Sequence, residues 1–120
     1  MSMLVIRNPG VYRMHRAVAI LYVAAIFILL FFVLYFPQVP EKKYINLALI
    51  VLLVMLALAH VRAAIEVKYG TDYGRRLSRL LGIILLFSFP IGTAIGIYIL
   101  IKTKAQYWQP YNARYLSYGD

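Results

Sequence analysis

The stretch from Ala17 to Phe36 carries no charge, and its only polar groups are the hydroxyls of Tyr22 and Tyr35. A helix of about 20 residues covers the roughly 30 Å hydrocarbon core of a bilayer, at about 1.5 Å of rise per residue. The run is too long for a signal peptide, and it ends in prolines rather than in a small-residue cleavage site. We therefore expect a retained transmembrane helix from about His15 to Phe36.

A second apolar segment runs from about Tyr44 to Ala64 and is apolar on every face between Leu47 and Ala59. An all-round apolar helix is typical of lipid surroundings. The connection from Pro37 to Lys43 is short, so the two segments are predicted to be antiparallel neighbours. A main polar loop is expected to follow, from Arg62 to Arg79.

A third hydrophobic segment, from about Leu77 to Lys102, has Pro90 at its middle. Proline removes a backbone hydrogen bond and clashes with the preceding turn, so the helix kinks or breaks there. Two alternatives stay open: a single kinked helix that crosses the membrane, or a re-entrant hairpin that turns at Pro90. Each arm of such a hairpin is only about 20 Å long, which is short of a full span.

The predicted fold is an all-α membrane protein with three hydrophobic segments, two full transmembrane helices plus a third broken or kinked at Pro90. Residues 1–14 form an interfacial or disordered lead, 15–104 the helical transmembrane domain, and 105–120 an aromatic-rich tail. With 63% hydrophobic residues and only 14% charged, the chain is far more apolar than a soluble domain. A soluble protein of this size has no core large enough to bury that surface.

Basic residues outnumber acidic ones by 13 to 4, for a net charge of +9. They flank the apolar segments, where they contact lipid headgroups and set orientation. The residues assigned this role are Arg13, Arg16, Arg75, Arg76 and Arg79. A single crossing of the third segment divides the basic residues eight to five, and a hairpin divides them eleven to two. Both divisions predict a cytoplasmic N-terminus. We expect no binding to nucleic acid in spite of the positive charge, because no soluble stretch is long enough to form a binding surface.

Few residues interrupt the apolar pattern. Gly92 and Gly96, just after Pro90, form a G-x-x-x-G pattern that brings helices close, within the chain or across a dimer. His15 and His60 fall near the same end of their helices, where two histidines bind haem or a metal, or simply snorkel and hydrogen-bond. Asn46 is a candidate for a hydrogen bond across helices or to water.

The sequence lacks the motifs that indicate catalysis, metal binding or nucleotide binding. There is no cysteine, so thiolate metal sites and a cysteine nucleophile are excluded. There is no phosphate-binding glycine loop, no H-E-x-x-H and no G-x-S-x-G, and no carboxylate lies inside a predicted span. We expect no enzymatic activity, no metal and no cofactor.

The run Phe89-Pro90-Ile91-Gly92-Thr93-Ala94-Ile95-Gly96-Ile97-Tyr98, preceded by Gly74-Arg75-Arg76-Leu77-Ser78-Arg79, resembles the C-terminal segment of small bacterial membrane proteins. In those proteins a basic glycine-arginine lead precedes an F-P-I-G-T-x-x-G-I-Y segment. The tryptophan that usually follows there is missing here. The resemblance covers about a quarter of the chain, and it implies a bacterial source and an inner-membrane location but no transferable activity.

Three functions follow from these observations. The first is a non-catalytic accessory or structural subunit that binds the lipid bilayer and other membrane proteins, or itself. The second is an oligomeric small transporter or channel subunit, since broken helices line transport sites. The third is a haem-binding electron-transfer subunit, which depends on His15 and His60 alone.

Overall fold

The computed structural model describes residues 6–88 and 90–110, and this part of the chain contains four helices and no strand. The helices are α1 (Pro9–Tyr35), α2 (Pro40–Tyr69), α3 (Asp72–Leu86) and α4 (Ile91–Lys102). The all-helical fold class is confirmed. The predicted lead before residue 6 and the tail from residue 111 lie outside the described residues.

Helices α1 and α2 pair as an antiparallel hairpin, and both are long and apolar enough to span a membrane. Only a small share of the most apolar 18-residue window of each helix is buried, namely 11% of the window in α1 and 22% of the window in α2. The core helix of a soluble protein would be mostly buried, so this exposure is consistent with a membrane location. Each helix begins with a proline at its first turn, where the missing N–H costs nothing.

Helix α1 begins at Pro9, six residues before the predicted start at His15. The Asn8-Pro9-Gly10 sequence, which falls in the predicted lead, is typical of a turn. Instead Asn8 adopts a left-handed conformation, with φ of 52°, and the chain enters the helix at Pro9.

The segment from Arg62 to Arg79, predicted as a polar loop, is mostly helical. Helix α2 continues through it to Tyr69, with an i,i+4 ion pair of 3.1 Å between Arg62 and Glu66. Gly70 then ends the helix with a φ of 76°, a conformation that glycine adopts easily. Thr71 caps α3 by accepting a hydrogen bond from the backbone N–H of Gly74 at 3.0 Å. The charged residues from Arg62 to Lys68 are therefore part of α2. The chain changes direction only after them, at Gly70 and Thr71.

The third hydrophobic segment is broken rather than kinked. Its two parts, α3 and α4, fold back on each other around residues 87–90. Arg79 Nη1 donates to the carbonyl of Leu100 at 3.1 Å, and the backbones of Gly82 and Gly96 touch nearer the turn. Of the two alternatives open from the sequence, the structure has the hairpin.

The α3–α4 hairpin packs against one end of the α1–α2 hairpin. At that end Arg7 N donates to the Lys68 carbonyl at 3.0 Å, and Asn8 is bonded to Gln109. The N-terminal end of α1, the α2–α3 junction and the C-terminal end of α4 thus meet in one region. We call this region the basic end, because it holds ten basic residues of the described chain, namely Arg7, Arg13, Arg16, Arg62, Lys68, Arg75, Arg76, Arg79, Lys102 and Lys104. Lys42 and Lys43 lie at the opposite end, beside the α1–α2 connection.

Candidate functional site

Three helices each contribute one side chain to a buried polar cluster, which consists of His15, His60 and Ser78. The Nδ1 atoms of the two imidazoles are 2.9 Å apart, and His15 Nε2 is 2.8 Å from Ser78 Oγ. All three residues are at most 1% exposed. The sequence left three roles open for His15 and His60, namely cofactor binding, snorkelling and hydrogen bonding, and the structure buries both and bonds them to each other.

A stripe of small residues on α3 explains how the helices come this close. Gly74, Ser78 and Gly82 are spaced four residues apart and all are buried. A β-carbon on Gly74 would lie 2.8–2.9 Å from backbone atoms of Glu66 and Val67, so this position sits directly against α2. Gly82 faces α4, where a β-carbon would lie 3.2 Å from Leu100 Cγ and 3.3 Å from Gly96 O. Small residues at this spacing let backbones approach, and Ser78 lies at the middle of the stripe, facing His15.

The hydrogen-bond chain has two neutral arrangements. In one, Ser78 donates to His15, which donates through Nδ1–H to His60. In the other, His60 donates through Nδ1–H to His15, which donates through Nε2–H to Ser78. Both arrangements leave His60 Nε2 without a hydrogen-bond partner among the described residues. The Tyr22 ring lies beside it, with a centroid distance of 5.5 Å.

The cluster does not fit a haem. Two axial histidines must hold an iron and a porphyrin between them, whereas these imidazoles contact each other directly at 2.9 Å. Nor do other ligands join the pair, since the described chain has no group of three or more His, Cys, Asp or Glu side chains placed to hold a metal ion. His15, His60 and Ser78 therefore form a hydrogen-bonded group in which one buried atom, His60 Nε2, has no partner among the described residues.

The G-x-x-x-G residues Gly92 and Gly96 are both buried, and they face α3 of the same chain. A β-carbon on Gly96 would lie 3.2 Å from that of Leu85, and one on Gly92 would lie 2.9 Å from the Leu85 carbonyl. This face is occupied within the chain and is not available to a second copy. Pro90, between the helices, lies in the turn.

Asn46 does not bond to a helix across the bundle. Its Nδ2 donates to Gln38 Oε1 at 2.8 Å, and Gln38 Nε2 donates to the Phe32 carbonyl at 3.1 Å. These bonds close the connection between α1 and α2.

The arginines assigned to lipid headgroups divide into two groups. Arg13, Arg16 and Arg76 are exposed, whereas Arg75 and Arg79 reach across the hairpin to the end of α4. Arg75 Nε donates to the Thr103 carbonyl at 2.7 Å, and Arg79 Nη1 donates to Thr103 Oγ1 at 3.1 Å. Cations suit this position because the carbonyl end of a helix is electronegative. Arg75 and Arg79 therefore hold the α3–α4 hairpin together in addition to carrying charge.

Aromatic rings accompany the cations of the basic end. Arg16 lies 5.6 Å from the Tyr12 ring centroid, Arg62 lies 5.6 Å from that of Tyr73, and Lys102 contacts two further tyrosines. The opposite end carries Tyr35 and Tyr44, which are 72% and 73% exposed. Tyrosines thus lie at both ends of the described bundle, which is the distribution seen in the aromatic belts of membrane proteins.

Sequence analysis missed several residues of these sites, chiefly Ser78 and the pairing of Asn8 with Gln109. The four-residue spacing of Gly74, Ser78 and Gly82 is a signal that would have placed Ser78 on a packing face. The bond between Asn8 and Gln109 spans 101 positions and leaves no local pattern.

No family model, curated protein or solved structure matches this chain. Its function is therefore argued from its own residues.

Proposed function

We propose that this chain is a non-catalytic, multi-pass protein of the bacterial inner membrane that acts as an accessory or structural subunit of a larger membrane complex. Helices α1 and α2 cross the bilayer, and the basic end lies in the cytoplasm together with the N-terminal segment. The observation that carries the proposal is the contrast between a closed polar interior and an open apolar exterior.

The burial of the polar cluster argues against a catalytic role. His15, His60 and Ser78 bond to one another, and none of them is exposed. A substrate cannot reach them without the helices separating. The polar groups of the cluster stabilise one arrangement of α1, α2 and α3, because an unpaired polar group in an apolar interior costs about 1–3 kcal/mol.

The open exterior favours a partner in the membrane. The half of the α1–α2 hairpin that is remote from the basic end carries exposed apolar side chains such as Phe27, Leu34 and Val51, which are 67%, 73% and 59% exposed. Other helices of the described chain pack on the basic end instead. A flat two-helix surface of this kind is suited to lateral contact with helices of another membrane protein.

Charge supports the orientation. With the hairpin as observed, ten basic residues lie at one end and only Lys42 and Lys43 at the other, in the described part of the chain. The positive-inside rule assigns the richer end to the cytoplasm.

The proposal is tested in native membranes. The tagged chain should stay in the membrane after carbonate extraction and should elute from a mild detergent at the size of a larger complex. A matched sample with Val51→Lys, which places a charge on the open surface, should elute as the lone chain. Elution of the unmodified chain alone in several mild detergents would contradict the subunit role. Recovery in the carbonate supernatant would contradict membrane insertion itself.

A transporter or channel subunit is the second candidate. The observation that favours it is an open cavity of about 350 Å³ beside the break at Pro90. Its lining is mainly apolar, with Tyr22 and Ser88 as its hydroxyl-bearing residues. Solute or ion flux into liposomes that contain the purified chain tests this function.

A further inference from the structure

The α3–α4 hairpin is too short to cross a bilayer. After Arg79, the last charge of α3, the chain is apolar or uncharged from Leu80 to Ser88, which is about 13 Å of helix. The returning arm from Ile91 to Ile101 is about 16 Å long. Each arm therefore matches about half of the roughly 30 Å hydrocarbon core, which is the thickness of one leaflet.

The neighbours of the hairpin tip place it at the middle of α1 and α2. The cavity beside the break is lined by Pro90 and Ile91 on the hairpin and by Ala25 and Leu53 on the long helices. Ala25 lies about 13 Å beyond Arg16, the last charge of α1, and Leu53 lies at a similar distance from Arg62. The tip thus reaches the expected midplane of the bilayer and goes no further.

The tip presents apolar side chains outward and bonds much of its own backbone, both of which suit contact with lipid. Phe87 and Ile91 are 87% and 66% exposed and apolar. The turn also satisfies much of its own backbone: Phe87 N donates to the Ile84 carbonyl at 3.2 Å, and Ser88 N donates to the Leu85 carbonyl at 2.9 Å. Thr93 bonds the turn twice, through Oγ1 to the Leu86 carbonyl at 2.7 Å and through its N–H to the Ser88 carbonyl at 3.2 Å. Unpaired backbone groups would be costly at this depth.

We infer that the chain is a one-sided membrane wedge, which prefers bilayers whose leaflet at the basic end is convex. This inference depends on the proposed membrane insertion and orientation. Four helices occupy the leaflet at the basic end, and only α1 and α2 continue into the other leaflet. Since each helix is about 10 Å across, the described chain takes up roughly twice the area in the first leaflet. A convex leaflet has more room for the additional pair, so curvature lowers the cost of insertion there.

The test uses the absence of cysteine in the chain. The Lys104→Cys variant, labelled with a fluorophore, is reconstituted into phosphatidylethanolamine–phosphatidylglycerol vesicles of mixed diameter. A membrane-impermeant quencher then separates the molecules whose basic end faces outward from those whose basic end faces inward. The protein density per membrane area is measured against vesicle diameter for each orientation.

The two orientations are matched controls for each other. Outward-facing molecules should be enriched on small vesicles, whose outer leaflet is convex, and inward-facing molecules should be depleted from them. Equal densities, or the same trend for both orientations, would overturn the wedge. A nitroxide at a Phe87→Cys variant should report the depth of the bilayer midplane, and a headgroup depth would also overturn it. Failure of the protein to float with the vesicles would instead disprove the proposed insertion.

Discussion

Gly82 and Gly96 lie in direct backbone contact across the α3–α4 hairpin. A β-carbon on Gly96 would lie 2.5 Å from the carbonyl oxygen of Gly82, and one on Gly82 would lie 3.3 Å from the carbonyl oxygen of Gly96. Gly96 has no space for a side chain unless the helices move apart, whereas at Gly82 the neighbouring atoms would have to shift only slightly.

The first prediction concerns this contact. Gly96→Leu should lower the free energy of unfolding by about 1–3 kcal/mol or more, because the new side chain must displace backbone rather than flexible atoms. Denaturation in mixed micelles with increasing SDS, followed by circular dichroism, measures the change. The matched control is Ala94→Leu on the exposed face of the same helix, which should change stability little. Equal effects of the two substitutions would contradict the packing described.

The second prediction concerns the polar cluster. His15→Phe leaves His60 Nδ1 and Ser78 Oγ without their partner, and His60→Phe leaves His15 Nδ1 without its partner. Each single variant should lose about 1–3 kcal/mol of stability. The double variant removes both members of the N–N hydrogen bond, so its loss should be smaller than the combined single losses by about 1 kcal/mol. The same SDS titration measures all four proteins, and strict additivity would mean that the imidazoles are not coupled.

The third prediction concerns the end of α4. Arg79→Gln removes the cation that bonds the Leu100 carbonyl and Thr103 Oγ1. Amide hydrogen exchange in the last turn of α4 should accelerate, with a local cost of about 1.5–3 kcal/mol for hydrogen bonds to a charged group. Arg76→Gln, which removes an exposed charge one turn away, serves as the control. Similar exchange in both variants would show that Arg79 contributes only charge.

The fourth prediction separates two roles of Asn8. Its Nδ2 donates to the carbonyls of Val67 and Gln109, its Oδ1 accepts from Gln109 N–H, and its φ is 52°. Asn8→Gly keeps the left-handed backbone accessible and loses the side-chain bonds, whereas Asn8→Ala also incurs about 1–2 kcal/mol of backbone strain. Protease cleavage after Lys104 should increase in both variants, and more in Asn8→Ala. No change in Asn8→Gly would rule out the side-chain bonds as the anchor of this segment.

Length and hydropathy predicted α1 and α2 well, because the requirement for about 20 apolar residues is set by bilayer thickness alone. Their outer limits were missed. The Asn8-Pro9-Gly10 sequence resembles a turn, yet proline suits the first position of a helix. The charges after Arg62 resemble a loop, but charged side chains pair along a helix once it has left the apolar region.

The α3–α4 hairpin and the polar cluster could not be predicted from the sequence, because both depend on contacts between segments that are distant in sequence. Pro90 predicts a break, but whether the chain continues or turns back is decided by the fit of Gly82 to Gly96 and by the bonds from Arg75 and Arg79 to Thr103. Similarly, the two histidines were visible as candidates at one depth. Their hydrogen bond required the register of α1 against α2, and Ser78 joined only through α3.

The pairing of Asn8 with Gln109 has a consequence for biosynthesis. The two residues are separated by nearly the whole described chain, so Gln109 is synthesised long after the first helix that it helps to anchor. Helices α1 and α2 are both complete before Gln109 is synthesised, so they can pair first, and the bonds at the start of α1 form only once Gln109 has left the ribosome. A chain truncated before residue 109 would keep the sequence of both long helices and lose the hydrogen bonds that hold the start of α1 to the segment after α4.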